Sequence, residues 1–248
     1  MIKGLVSIIT PMYNSQATIE RTILSVINQT YENWEMIIVD DKSVDAGPEI
    51  VAKYATKDKR IIYYKASNNS GVSEARNKAI EMSKGQYIAF LDSDDTWEDN
   101  KLKKQIDFII DKNVGFVYSA CDCIDYEDNY IKTRNVPGKV NYKELLKGNV
   151  IPCLTVVIDR EKIDVPKMKA IHHEDYSMWL DILKNEESAY GINEVLAHYR
   201  VGGKSVSSNK LKAMKWTWDI YRKDQGIGIF RSSYYFVNYV IKAFIKWK

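Results

Sequence analysis

The chain has 248 residues, of which 45% are hydrophobic and 28% charged, a balance typical of a soluble globular protein. Its three cysteines have no C-x₂-C pair, which argues against a disulfide framework and against a zinc site. Residues 200–248 carry 11 Lys or Arg against 2 Asp or Glu, a net charge of +9, so residues 1–199 carry −6 of the overall +3. We expect no membrane span and no signal peptide, because the chain has no long apolar run and no cleavage-site pattern near its first residues.

Through residues 1–113, short apolar runs alternate with amphipathic segments. Strands are predicted at 5–10, 34–39, 61–64 and 87–91, and helices are predicted to follow each of them. Asn14 or Ser15 is expected to cap the first helix. This alternation predicts an α/β fold with a mostly parallel sheet and right-handed crossovers.

The pattern is less regular after residue 113. We predict strands at 114–118 and 154–158, a loop-like segment at 122–140, a helix that begins near residue 172, and short strands within 189–199. With no internal repeat and no low-complexity linker, we expect one main domain at 1–206. It divides into a regular half, 1–113, and a less regular half, 114–206, and a C-terminal helical extension covers 207–248.

Three of the predicted strands end in polar turns, at residues 11–14, 40–41 and 92–95. The carboxyl ends of parallel strands meet at one edge of the sheet, where ligands bind in open α/β folds. Asp92 and Asp94 form an Asp-x-Asp pair whose oxygens suit Mg²⁺ or Mn²⁺. Alone, the pair could equally be an acidic turn before a helix, but the convergence of three polar ends favours a binding site.

Five segments together resemble the motif series of family 2 glycosyltransferases with a GT-A fold. They are 6–14 (VSIITPMYN), 38–43 (IVDDKS), 69–77 (NSGVSEARN), 90–95 (FLDSDD) and 174–179 (EDYSMW). The resemblance implies a Rossmann-like sheet flanked by helices. It also implies inverting transfer of a sugar from a nucleotide diphosphate donor, usually UDP, to an acceptor hydroxyl. Such enzymes use Mn²⁺ or Mg²⁺ and commonly build bacterial surface polysaccharides.

The resemblance carries roles to particular residues. Asp41 is expected to accept a hydrogen bond from the uracil ring, Asp92 to lie near the ribose and the metal, and Asp94 to bind the metal. Tyr13 could stack on the base or be a half-buried aromatic, and Arg76 could contact the diphosphate or form a salt bridge. The expected nucleotide-sugar-binding residues are Pro11, Tyr13, Asp41, Arg76, Asp92, Ser93 and Arg200. The resemblance likewise implies that 1–206 is a GT-A glycosyltransferase domain, with 1–113 as its nucleotide-sugar-binding half and 114–206 as its acceptor-side half.

An inverting transferase also needs a base for the acceptor proton. Glu174 and Asp175 open a predicted helix, where carboxylates also complement the helix dipole without any catalytic role. By resemblance, Asp175 is the base and Glu174 supports the site or the acceptor. We do not assign the neighbouring His172 and His173 to a metal site, and we expect Asp95 to cap the helix that follows it.

One position departs from the family pattern. Many relatives have a His after the Tyr-Arg pair, but here Val201 follows Tyr199 and Arg200. A third protein ligand to the metal is therefore left open. Arg200 and Lys204 could contact the diphosphate or be ordinary surface charges.

The basic, aromatic segment 229–248 suits a membrane headgroup interface, or alternatively packs on the body or on a second subunit. The expected partners are a UDP-sugar donor and a glycan or lipid-linked acceptor, with no nucleic acid. A homo-oligomer is left open. We expect a cytoplasmic protein that can lie peripherally at the inner face of the cell membrane.

Three other classes fit less well. A nucleotidyltransferase needs a basic, Gly-rich loop after the first strand, and residues 10–14 contain neither Gly nor Lys. A nicotinamide-binding Rossmann protein would have G-x-G-x-x-G there. A non-catalytic sugar-nucleotide or glycan-binding module would not need both the Asp-x-Asp pair and the Glu-Asp pair.

Overall fold

A computed structural model describes residues 1–186, 188–202 and 210–245 of the chain. Within these residues, helices flank a single ten-stranded sheet. The strands are β1 (Ile2–Met12), β2 (Trp34–Asp40), β3 (Ile61–Lys65), β4 (Gly85–Phe90), β5 (Thr96–Trp97), β6 (Phe116–Ile124), β7 (Tyr130–Arg134), β8 (Lys139–Val140), β9 (Val157–Asp159) and β10 (Ala189–Arg200). The helices are α1 (Ile19–Ile27), α2 (Gly47–Lys57), α3 (Val72–Met82), α4 (Lys101–Lys112), α5 (Tyr142–Leu145), α6 (Glu174–Asn185), α7 (Lys210–Asp219) and α8 (Ile229–Ile245).

The first half of the sheet is parallel, in the order β3-β2-β1-β4. Every residue of β2 and β4 is buried, because helices cover both faces of the sheet. This burial explains why these strands are continuous apolar runs in the sequence. The α/β fold class is confirmed, and the carboxyl ends of β1, β2 and β4 share one edge.

The second half of the sheet mixes directions. β9 lies antiparallel between β4 and β6, and β10 runs parallel to β6. The short strands β5 and β8 pair antiparallel with β10. Four strand pairings among the described residues are parallel, and they include the longest ladders of the sheet. Each antiparallel pairing among these residues includes β7, β9 or β10.

The prediction of a loop at 122–140 is wrong. β6 continues to Ile124, and β7 pairs antiparallel with its end. Four of the five β7 residues are exposed, so this edge strand has no apolar alternation that sequence analysis could detect. Residues 189–199, predicted as short strands, belong to the single strand β10.

The first helix begins later than predicted. Its N-cap is Thr18, whose hydroxyl donates to the Ser93 carbonyl instead of capping the helix. Asn14 instead adopts a left-handed conformation, with φ of 49°, and its side chain accepts from the Val44 backbone N–H. The polar residues after β1 therefore hold the edge of the sheet together.

The helix that carries the predicted base is anchored in the core by Trp179. Its indole packs edge-on against Phe90 of β4 and Phe116 of β6, with ring centroids 5.5 and 5.2 Å apart. Trp179 is fully buried. Because one side chain contacts both strands, the first turn of α6 is held close to the end of β4.

The described part of the C-terminal extension, 210–245, is helical apart from the short connection at 225–228. A π-helical turn, Ile220–Asp224, joins α7 to the segment before α8. Buried Tyr221 donates to the Leu146 carbonyl, and Asp224 accepts from Ser177 of α6. These contacts fix the extension beside α6. The predicted boundary between 206 and 207, together with Lys204, lies outside the described residues.

No helix within the described residues is both long enough and apolar enough to cross a membrane.

Candidate active site

A cavity of about 1280 Å³ opens at the carboxyl edge of the sheet. It includes Tyr13 after β1, Arg76 of α3, and Asp92 and Asp94 after β4. The second half of the chain contributes β7, the segment 149–154, and the start of α6 with Asp175. Residues far apart in sequence thus share one site.

Arg76 links the two acidic motifs. Its guanidinium donates to Asp92 Oδ1 and to Glu174 Oε1, both at 2.6 Å. Burial lowers the pKa of Arg76, but nearby negative groups, foremost Asp92, outweigh that effect and keep its pKa above the ordinary value. Arg76 is only 4% exposed. Its two hydrogen bonds therefore hold the end of β4 close to the start of α6. Of the two roles weighed for Arg76, the structure shows the salt bridge, and a diphosphate contact stays a prediction.

Asp94 is less directly compensated, because Arg200 and Arg76 act on its charge only from a distance. Among the described residues no basic side chain forms an ion pair with it, whereas Asp92 has Arg76. Burial, and then the negative charge of Asp92, raise the pKa of Asp94 to about 6. An added cation would relieve this repulsion, since two hard carboxylates suit Mg²⁺ or Mn²⁺.

No group of three or more His, Cys, Asp or Glu side chains within the described residues could hold a metal ion by itself. The two carboxylates therefore fit a cation that takes its remaining ligands from phosphate oxygens and water, as Mg²⁺ commonly does.

Asp95 does not cap α4, which begins only at Lys101 with Asn100 as its N-cap. Asp95 is 1% exposed, and its Oδ1 accepts from the Arg200 backbone N–H at 2.8 Å. Burial, and then Asp94, raise its pKa well above the ordinary value. Its role here is to hold β10 against the end of β4.

Arg200 is likewise occupied by the protein. Its guanidinium donates to the carbonyls of Asp94 and Asp125 and to the Asp128 carboxylate, at 2.5 to 2.8 Å. Only 4% of Arg200 is exposed. In the structure, Arg200 stabilises the acidic turn after β4. A contact between Arg200 and the diphosphate stays a prediction.

The two acids that open α6 differ. Glu174 is engaged by Arg76, whereas Asp175 forms no ion pair with any described residue and accepts a long hydrogen bond of 3.5 Å from the Asn149 amide. Burial, and then the Glu174 charge, raise the pKa of Asp175 to about 6. Asp175 therefore has the properties of a base that works near neutral pH.

The residues predicted to bind the nucleotide base lie beside the ends of β1 and β2. Tyr13 is 52% exposed, which leaves its ring available for stacking. Both oxygens of Asp41 accept backbone N–H groups, from Ser70 and Gly71 at 2.7 Å. A carboxylate has further lone pairs, so a uracil contact to Asp41 stays a prediction.

Two smaller predicted donor residues form part of the surrounding structure. Pro11 is buried within β1, and the Ser93 hydroxyl shares a hydrogen bond with Ser15 at 2.7 Å. Both hold the strand ends in place. The structure therefore brings the predicted site residues to one edge and gives several of them supporting contacts.

The sequence analysis missed several residues of the cavity wall. Lys132 and Arg134 lie on β7, and Trp216 of α7 stacks on His172 with ring centroids 3.9 Å apart. Tyr199 of β10 also lines the cavity, beneath Arg134. The strand-forming residues of β7, Tyr130 and Ile131 with Thr133, were the available signal.

The chain is similar to known proteins over most of its length. A model of the family described as Glycosyl transferase family 2 matches residues 7–164. TuaG of Bacillus subtilis (strain 168), provisionally named a teichuronic acid biosynthesis glycosyltransferase, is 41% identical over 245 residues, 97% of this chain and 96% of TuaG. WfgD of Escherichia coli, a UDP-Glc:alpha-D-GlcNAc-diphosphoundecaprenol beta-1,3-glucosyltransferase, is 40% identical over 244 residues, 96% of this chain and 92% of WfgD.

The fold has solved counterparts. The crystal structure of Staphylococcus aureus TarS in complex with UDP-GlcNAc matches with a TM-score of 0.71 and 19% identity, over 95% of this chain and 71% of that one. At this identity the likeness concerns the fold alone. Together with the family match and the two close relatives, it shows that the chain belongs to glycosyltransferase family 2.

Proposed function

We propose that this glycosyltransferase moves a sugar from a UDP-sugar to a hydroxyl of a lipid-linked glycan acceptor, with inversion at the anomeric carbon. The observation that carries the proposal is the Arg76 bridge, which places the acids after β4 and the acids of α6 in one cavity. A donor site and a catalytic base must lie on opposite sides of the same sugar for a single displacement.

The donor half of the proposal rests on the strand ends. The exposed ring of Tyr13 can stack on uracil, with Asp41 beside the base. Asp92 and Asp94 are the residues that would hold Mn²⁺ or Mg²⁺. When bound, the ion stabilises the negative charge that develops on the leaving UDP. The family commonly uses such ions, and the raised pKa of Asp94, which has no ion-pair partner among the described residues, supports one here.

The base in this proposal is Asp175. A base is most effective when its pKa lies close to the working pH, and burial beside Glu174 brings Asp175 to about 6. Glu174 is tied to Arg76 and is a positioning residue. The acceptor hydroxyl gives its proton to Asp175 as it attacks the anomeric carbon, and the bond to the UDP oxygen breaks.

The acceptor class is inferred from WfgD, whose name specifies a sugar on diphosphoundecaprenol. Such an acceptor lies in a membrane, and α8 has a face that suits one. Phe230, Tyr234, Val237 and Ile241 recur at helical spacing on this face and are 52 to 90% exposed. The helix sequence contains Arg231 and Lys242 but no acid, so anionic headgroups would be attracted. Residues 246–248 of the predicted segment 229–248 lie outside the described residues.

The test is a donor screen. We expect UDP release from one or more UDP-sugars in the presence of a lipid-linked acceptor, with stimulation by Mn²⁺ or Mg²⁺. GDP- and ADP-sugars are the controls for the nucleotide. Turnover that prefers another nucleotide, or that is unaffected by chelation of divalent ions, would contradict the proposed donor chemistry.

A further inference from the structure

The wall of the cavity formed by β7 has two cations, Lys132 and Arg134, that form no ion pair with a described carboxylate. Lys132 and Arg134 both line the cavity and are exposed, and neither forms an ion pair with any other described residue. Most other cations of the cavity are engaged, as shown by Arg76 and Arg200. Unpaired positive charge in a cavity rich in carboxylates indicates that an anionic ligand approaches this wall.

The two cations are arranged to act together. They are two residues apart on a strand, so their side chains leave the same face, and their Cα atoms are about 6.6 Å apart. The Arg134 guanidinium lies over the Tyr199 ring, 4.7 Å from its centroid, which limits its rotation. Antiparallel pairing of β7 with β6 fixes the strand that carries both. The pair can therefore contact neighbouring phosphoryl groups of one ligand.

The position of β7 in the sheet argues against a role for its two cations in binding the donor. Tyr13 and Asp41 follow β1 and β2, which lie on one side of β4 in the sheet order. β6, which pairs with β7, lies on the other side of β4, beyond β9. The acids after β4 separate the two sides, so the cations of β7 lie on the flank opposite the uridine residues.

The proposed reaction, on which this inference rests, involves two diphosphates: that of the donor and that of a lipid-linked acceptor such as the one named for WfgD. We propose that Lys132 and Arg134 bind the diphosphate of a sugar-diphosphate-lipid acceptor. The sugar of that acceptor then extends toward Asp175, and the lipid leaves the cavity. A growing glycan without a diphosphate would not be bound more tightly through Lys132 and Arg134.

The experiment measures binding of farnesyl diphosphate to the full chain by titration calorimetry, with the donor site saturated by UDP and Mn²⁺. Farnesol is the matched ligand without phosphate. We expect binding of the diphosphate but not of the alcohol. The Lys132→Gln/Arg134→Gln variant should bind about 10²-fold more weakly, since each charge-assisted contact contributes about tenfold. Both residues are exposed, so we expect the variant to fold.

Two variants serve as controls. Lys139→Gln removes an exposed lysine on β8 that lies over Tyr190 and does not line the cavity, so binding should not change. Lys132→Arg/Arg134→Lys keeps both charges and should retain most of the affinity. UDP affinity should be the same in all four proteins.

The inference is overturned if wild type does not bind farnesyl diphosphate, if the double Gln variant binds it as wild type does, or if farnesol binds equally well. It is also overturned if UDP affinity falls as much as farnesyl diphosphate affinity, because the cations would then belong to the donor. Failure of wild type to bind UDP would count against the proposed donor site, and farnesyl diphosphate titrated without UDP would still report on the β7 pair.

Discussion

The two walls of the cavity are built differently. On the β4 side, a buried Arg76 is held between the carboxylates of Asp92 and Glu174. On the β7 side, Lys132 and Arg134 are exposed and have no carboxylate partner within the described residues. A buried, preorganised wall suits the chemical step, whereas an exposed cationic wall suits recognition of a charged substrate. Substitutions should therefore lower kcat on the first wall and raise KM for the acceptor on the second.

The largest effect is expected for Asp175→Asn. Removal of a general base typically costs roughly 10²–10⁴-fold in rate, so kcat should fall by that order while UDP affinity stays near wild type. Steady-state kinetics and UDP titration measure the two quantities.

Glu174→Gln is the matched variant at the adjacent position. The amide oxygen of Gln can still accept from Arg76, so the loss of rate should be smaller. If Glu174→Gln were the more damaging change, the base would be Glu174. Near-normal rates in both variants would show that neither Glu174 nor Asp175 is the base.

The next effect concerns the metal. Asp94→Asn removes the carboxylate that has no ion-pair partner among the described residues, so we expect a loss of about 10²–10³-fold in kcat, comparable to removal of one electrostatic stabiliser. Stimulation by Mn²⁺ should be lost with it. Asp99→Asn, at an exposed acid beyond the same turn, is the control and should titrate with Mn²⁺ as wild type does. Unchanged Mn²⁺-dependent turnover in folded Asp94→Asn would disprove the assignment.

The pH dependence of kcat tests whether the base has a raised pKa, as Asp175 does. Asp175 acts when deprotonated, and its pKa is raised to about 6, so kcat should fall as the pH drops through about 6. Rate profiles between about pH 5 and pH 8 test this. A rate that stays constant down to about pH 5, as expected for an Asp with an ordinary pKa near 4, would contradict a base whose pKa is raised.

The same pKa has a consequence for stability. A carboxyl whose pKa is higher in the folded state than in the unfolded state favours folding at low pH, and this contribution is lost as the pH rises through about 6. Asp175→Asn should therefore raise the melting temperature relative to wild type near neutral pH. The difference should disappear below about pH 4. A variant less stable than wild type at neutral pH would show that the Asp175 charge is favourably solvated.

The smallest effect on the chemical step is expected at α8, because its exposed apolar residues do not line the cavity. Phe230→Ser combined with Ile241→Ser should weaken sedimentation with anionic liposomes by about tenfold per residue, since each buried apolar side chain contributes about 1.5–3 kcal/mol. Ile110→Ser on α4 removes a comparably exposed residue, 62% exposed, and should have no effect. Equal sedimentation of all three proteins would favour packing of α8 against a second copy, which light scattering would detect.

How much the sequence could predict differs between the same two walls. Asp92, Asp94 and Tyr13 directly follow buried apolar strands, so their convergence at one edge follows from local pattern and the rules of parallel sheets. The Arg76–Glu174 contact could not be predicted, because its partners are 98 residues apart and meet only through tertiary packing.

Sequence analysis missed the residues of the β7 wall for a different reason. Lys132 and Arg134 lie on an edge strand that is exposed on both faces, and nothing in its hydrophobic pattern distinguishes it from a loop. The strand exists because β6 continues beyond its predicted end and offers a pairing edge. Residues that recognise a substrate from such a strand become apparent only once the pairing is known.

The central claim, a single displacement assisted by Asp175, is tested most directly by the stereochemistry of the product. Among the acids that line the cavity, Glu174 and Asp92 are tied to Arg76, and Asp94 is assigned to the metal. On these assignments, the described acids of the cavity offer no second free carboxylate as a nucleophile for a double displacement. Proton NMR of the glycoside formed from an α-linked UDP-sugar should show only the β-anomer. An α-linked product would contradict the account.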